Sequence, residues 1–150
     1  MTTRILLVAS VVAWVAALVG LVWMVVLAEI RPRYLPWLLI HMDIVLQACA
    51  VLSVVSAVIG ILGVRAGARR RAVTGFSAAF GWGVLGGVLG MAGARVMLIN
   101  MNPPIPFYVY APGYAQAFLV LLVGLTGAIL GLVLLGRRGP AEPRPPAAGP

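Results

Sequence analysis

The sequence predicts an all-α, polytopic integral membrane protein with four transmembrane helices in an antiparallel bundle. Three observations predict it. Of 150 residues, 63% are hydrophobic and only 9% charged, with a mean hydropathy of +1.10, whereas roughly a quarter of the residues in a soluble domain carry charge. Four apolar runs each supply the roughly 20 helical residues that cross a hydrocarbon core. The arginines sit between those runs, mostly on one side of them.

The runs cover about residues 5–27, 38–64, 74–99 and 115–135 of a single domain, 1–138, which a Pro-rich tail, 139–150, follows. A β-barrel does not suit them, because a transmembrane strand takes only about 10 residues. The first run follows Arg4, and Val26-Leu27-Ala28 resembles a small-residue cleavage site. It outlasts the roughly 7–15 apolar residues of a signal peptide, and three further runs follow, so it is expected to stay as helix 1.

All eleven basic residues are arginine, opposed only by Glu29, Asp43 and Glu142, for a net charge of +8. Eight of the eleven, Arg4, Arg65, Arg69, Arg70, Arg71, Arg137, Arg138 and Arg144, fall at one end of the runs; Arg31, Arg33 and Arg95 fall at the other. The positive-inside rule then places both termini and the Arg-rich turn in the cytoplasm of a cell (inner or plasma) membrane, against anionic lipid headgroups. Because the arginines form no continuous basic face, nucleic acid is not an expected partner.

Two connections are expected to face outward, Arg31-Pro32-Arg33-Tyr34-Leu35-Pro36-Trp37 and the segment from Asn102 to Tyr114, which holds Pro103, Pro104, Pro106 and Pro112. Proline fixes φ and removes a donor, so neither connection is expected inside a helix. Trp37, Tyr108, Tyr110 and Tyr114 suit the headgroup layer. The tail, with five prolines among residues 139–150, is expected to be disordered and cytoplasmic.

Lipid tails are as apolar as leucine, so helices associate in a bilayer by close contact, which small residues permit. Helix 3 carries Ala79, Gly83, Gly86, Gly90 and Gly93 on one stripe, and helix 4 carries Ala117, Gly124, Gly127 and Gly131. Helix 1 offers Ala9, Ala13, Ala16 and Gly20, and helix 2 offers Cys49, Ser53, Ser56, Gly60 and Gly63. These are the predicted packing faces, with an outward Gly face for a membrane-protein partner or a second copy as the competing use.

Polar groups inside a membrane are costly and mark candidate sites. Asp43 and Gln47 share a face near the start of helix 2, and Arg95 near the end of helix 3 belongs to the same depth if the two helices are antiparallel. An Asp43–Arg95 pair is expected, with Gln47 satisfying a further carboxylate lone pair. His41 precedes Asp43 by two positions, which is the wrong side of a helix for a relay. The same residues, Asp43, Gln47, Arg95 and His41, are the candidates for an ion pathway, which would continue past Ser53 or Ser56.

One cysteine, Cys49, and one histidine, His41, provide neither a disulfide within the chain nor two axial haem ligands. No metal or other cofactor is expected. The chain holds no phosphate-binding G-x-x-x-x-G-K-[ST], no G-x-S-x-G and no H-E-x-x-H, so catalysis is not expected. The run Gly83-Val84-Leu85-Gly86-Gly87-Val88-Leu89-Gly90-Met91 is similar in glycine spacing to the third membrane helix of the MotA/TolQ/ExbB proton-channel proteins, and Gly124-Leu125-Thr126-Gly127 to the helix beside it. That likeness, confined to two short runs, implies a proton or ion channel component using Asp43 and Arg95. The preferred expectation is a non-enzymatic structural or accessory subunit.

Overall fold

The structure, a computed structural model, describes residues 2–27, 38, 40–100 and 106–137. These form α1 (Thr2–Leu27), α2 (Ile44–Arg65), α3 (Arg69–Asn100) and α4 (Phe107–Arg137). All four are long and apolar enough to cross a membrane. Even α2, the shortest at 22 residues, extends roughly 33 Å at the α-helical rise. Large apolar side chains are exposed along every helix, among them Val8, Val19, Val51, Val88 and Leu130. The first outward connection, residues 28–37, and the tail, 139–150, lie outside the described residues.

Helix ends depart from the sequence expectation in three places, each for a local reason. Helix 2 begins at Ile44 rather than Leu38, because Asp43 (φ −50°, ψ 140°) caps it and its Oδ1 accepts the Val45 N–H at 3.0 Å. An aspartate in this role satisfies one of the donors that a helix start leaves orphaned.

The Arg-rich connection is much shorter than expected, since Arg69, Arg70 and Arg71 belong to α3. The turn is a Schellman motif: Gly67 N–H donates to Val64 O at 3.2 Å and Ala68 N–H to Gly63 O at 2.9 Å. It needs a left-handed residue just past the helix, and Gly67 supplies φ +71°.

Helix 4 begins at Phe107, so Pro112 stands inside a helix where a non-helical connection was expected. Proline has no N–H to give the Tyr108 carbonyl, but the packing around it favours the helix. Ala111, Ala115 and Ala117 are fully buried, and Tyr110 and Tyr114, one turn apart, meet edge to face with ring centroids at 6.3 Å.

Small residues set how closely α2, α3 and α4 approach. Gly83 of α3 and Gly124 of α4 meet backbone to backbone, and a Cβ on Gly63 of α2 would stand 2.6 Å from the Ala72 N of α3. The α3–α4 contacts pair Gly90 with Ala117, Gly83 with Gly124 and Gly131 with Phe76, so numbers rise along one helix as they fall along the other. The same holds for α2 and α3, through Gly60 with Phe76 and Cys49 with Gly86.

The predicted stripes divide on this test. Gly83, Gly86, Gly90, Gly124, Gly127 and Gly131 are buried, as are Cys49, Ser53, Gly60 and Gly63. Gly93 is exposed, a Cβ there would meet nothing within 4 Å, and Ala94 takes the contact face at that level. In α1 the expected small-residue face is only in part the packing face: Gly20 lies against the Phe118 ring of α4, but Ala9, Ala13 and Ala16 are exposed. Instead α1 lies against α4 through Ala17 and Leu21, with Trp14, Met24 and Phe118 packed around them.

Candidate functional site

Asp43, Gln47, Gln116, His41 and Arg95 lie at the end of the molecule where α2 begins and α3 ends. Residues 41–43 are not helical, so carbonyls at this turn lack the partners a helix would give them. The two glutamines of the chain supply those partners. Gln47 Nε2 donates to Ile40 O at 2.7 Å, and Gln116 Nε2, reaching across from α4, donates to Leu38 O at 3.1 Å and His41 O at 3.4 Å. Leu38 and Met42 are buried among apolar neighbours on either side of this turn.

The expected polar constellation is thus rearranged. Gln47 sits one turn past Asp43, and its backbone N–H donates to Asp43 O at 2.9 Å. Its side chain, expected on the Asp43 carboxylate, serves the Ile40 carbonyl instead. Among the described residues no ion pair joins Asp43 to Arg95. Arg95 lies at the same end of the molecule but is exposed, next to the buried Ala94 on α3, with its long stem free to carry the guanidinium toward the interface. His41 is exposed and stands in the turn rather than on a helix, so helical spacing does not govern its relation to Asp43.

A cavity of about 420 Å³ opens here, lined by Asp43, Leu46, Gly90, Met97, Tyr110 and Gln116 among others. Among the described residues, Asp43 is its one charged lining residue and Gln116 its one amide. Ser53 and Ser56, the next polar residues along α2, do not line it. Ser53 is 1% exposed and donates its hydroxyl to Ala79 O at 2.8 Å, which places a closed contact between α2 and α3 beyond the cavity floor.

Further along the helices, Trp14 Nε1 donates to Thr126 Oγ1 at 3.0 Å and that hydroxyl donates to Leu122 O at 2.8 Å. Cys49 is buried against Gly86 and serves packing. Among the described residues no three His, Cys, Asp or Glu side chains converge as a metal site.

Gln116 is the residue that the sequence reading missed. It is the one amide in an otherwise apolar fourth run, and that isolation was the available signal. Comparison with known protein families, with characterised proteins and with solved structures finds no match.

Proposed function

We propose that the chain is a four-pass protein of the cell membrane, an antiparallel bundle with both termini cytoplasmic, that acts as a non-enzymatic structural or accessory subunit. The observation that carries this reading is how the polar groups of the spans are employed. Ser53, Trp14, Thr126, Gln47, Gln116 and the Asp43 cap each bond the chain's own backbone or a neighbouring side chain. Such bonds hold helices in register, and in lipid an unsatisfied polar group has no water to turn to. The exposed apolar side chains of all four helices then face lipid or a second membrane-embedded chain, with α1 offering the larger free surface.

The second reading is a minimal transporter or ion channel component working through Asp43, with Gln47, Arg95 and His41 nearby. The cavity that Asp43 lines favours it. Flux of protons or alkali cations into liposomes separates the two. The structural reading expects no flux above protein-free liposomes, for the unmodified chain and for Asp43→Asn alike. Flux that Asp43→Asn abolishes overturns it and installs the pathway.

A further inference from the structure

A second cavity, about 470 Å³, opens at the opposite end of the molecule in the wedge between α1, α3 and α4. It exists because α1 packs on α4 and barely touches α3, and because Ser10, Ser77, Ala128 and Gly131 are too small to fill the gap. Its walls are apolar and include Val73, Phe76, Phe80, Leu132 and Leu135. Among the described residues, its one charged lining residue is Arg69, in the first turn of α3.

We infer that this wedge holds one anionic phospholipid of the cytoplasmic leaflet, its phosphate on Arg69 and one acyl chain along Phe76 and Phe80. The inference rests on the membrane-spanning reading above. Dimensions support it: from Arg69 to Phe80 the groove follows α3 for eleven positions, roughly 17 Å at the helical rise, close to the ~15 Å that half a hydrocarbon core provides. A helix of a second copy, about 10 Å across, is too thick for a wedge of this volume, whereas a single acyl chain is slender and apolar enough.

Charge selects the headgroup. Arg65, Arg70, Arg71 and Arg137 are exposed at the same end as Arg69, and the one described acid, Asp43, is at the other. The N-terminus of α3 adds its positive end to the same spot. A zwitterionic lipid would bring its ammonium into this cluster, while an anionic lipid brings only its phosphate and neutral groups.

The test is native mass spectrometry of the detergent-purified chain with equal amounts of phosphatidylglycerol and phosphatidylcholine of matched acyl chains. One retained phosphatidylglycerol per chain is expected, preferred roughly tenfold, with Arg69→Gln cutting the preference about fivefold and Arg95→Gln leaving it intact. Ser77→Leu, which narrows the groove without changing charge, is expected to lower retention of both lipids. Equal retention of the two lipids, an unchanged preference in Arg69→Gln, or displacement by millimolar inorganic phosphate overturns the lipid site, the last by marking a free-anion site. Alkaline extraction of membranes keeps the two readings apart. A chain released at high pH breaks the membrane reading itself, and one that stays but ignores headgroup charge breaks only the lipid site.

Discussion

Helix α1 and the trio α2, α3 and α4 are all apolar enough to cross a membrane but are held by different means. Within its most apolar window, 11% of α1 is buried, against 28%, 28% and 33% for the others. The trio meets through glycine, with backbones in contact at Gly83 and Gly124 and at Gly60 and Gly75. By contrast, α1 meets α4 with no backbone-to-backbone glycine pair: Gly20 faces the Phe118 ring, and the rest of the contact is side chains around Ala17 and Leu21 and the Trp14–Thr126 hydrogen bond. Where lipid removes the hydrophobic gain between helices, close approach and hydrogen bonds are what remain to hold them. The trio has an extended set of such contacts, and α1 has few.

The comparison breaks hardest at Gly83. Replacing it with leucine drives a side chain into the Gly124 backbone, with an expected loss of about 3 kcal/mol, read as reversible unfolding in mixed micelles. Unchanged stability would show that α3 and α4 do not meet as described. A smaller effect is expected for Trp14→Phe, which removes the bond to Thr126 and part of the ring packed at Ala17 and Leu21 and costs about 1–2 kcal/mol. Its signature is regional: amide exchange should rise in α1 while α2, α3 and α4 keep their protection. A uniform rise across all four helices would place α1 in the same cooperative unit as the rest. The smallest effect belongs to Gly93→Ala, expected within about 0.5 kcal/mol of the unmodified chain, since a Cβ there meets nothing. A loss as large as that at Gly83 would mean that this face is covered by another chain.

That contrast also marks what could be read from the sequence. The four apolar runs were legible because length and composition alone identify a span. Small-residue spacing located the inner faces of α2 and α4 and most of that of α3. For α1 it found Gly20, which meets Phe118, but misled at Ala9, Ala13 and Ala16, which are exposed while Ala17 is buried. A soluble helix reveals its inner face by polarity, but when the surface is as apolar as the interior that periodicity is gone.

Helix ends failed for another reason, because local rules compete with packing. Pro112 argued for a loop, yet the buried alanines around it extend α4 to Phe107. At the Asp43 end, the sequence placed Asp43, Gln47, His41 and Arg95 at the same level but not the directions of their side chains. The Asp43 cap and the two glutamine bonds to the turn depend on a break before Ile44, and the apolar run gave no sign of that break.

The central claim is that the chain crosses the membrane four times and keeps both ends on the cytoplasmic side. Single cysteines at Ile40, exposed beside the Asp43 turn, and at Gly136, exposed at the end of α4, each introduced with Cys49→Ala, test it with a membrane-impermeant maleimide on intact cells. The account predicts labelling of Ile40→Cys from outside, and of Gly136→Cys only once the membrane is opened. Labelling of Gly136→Cys in intact cells, or protection of Ile40→Cys until lysis, would contradict it.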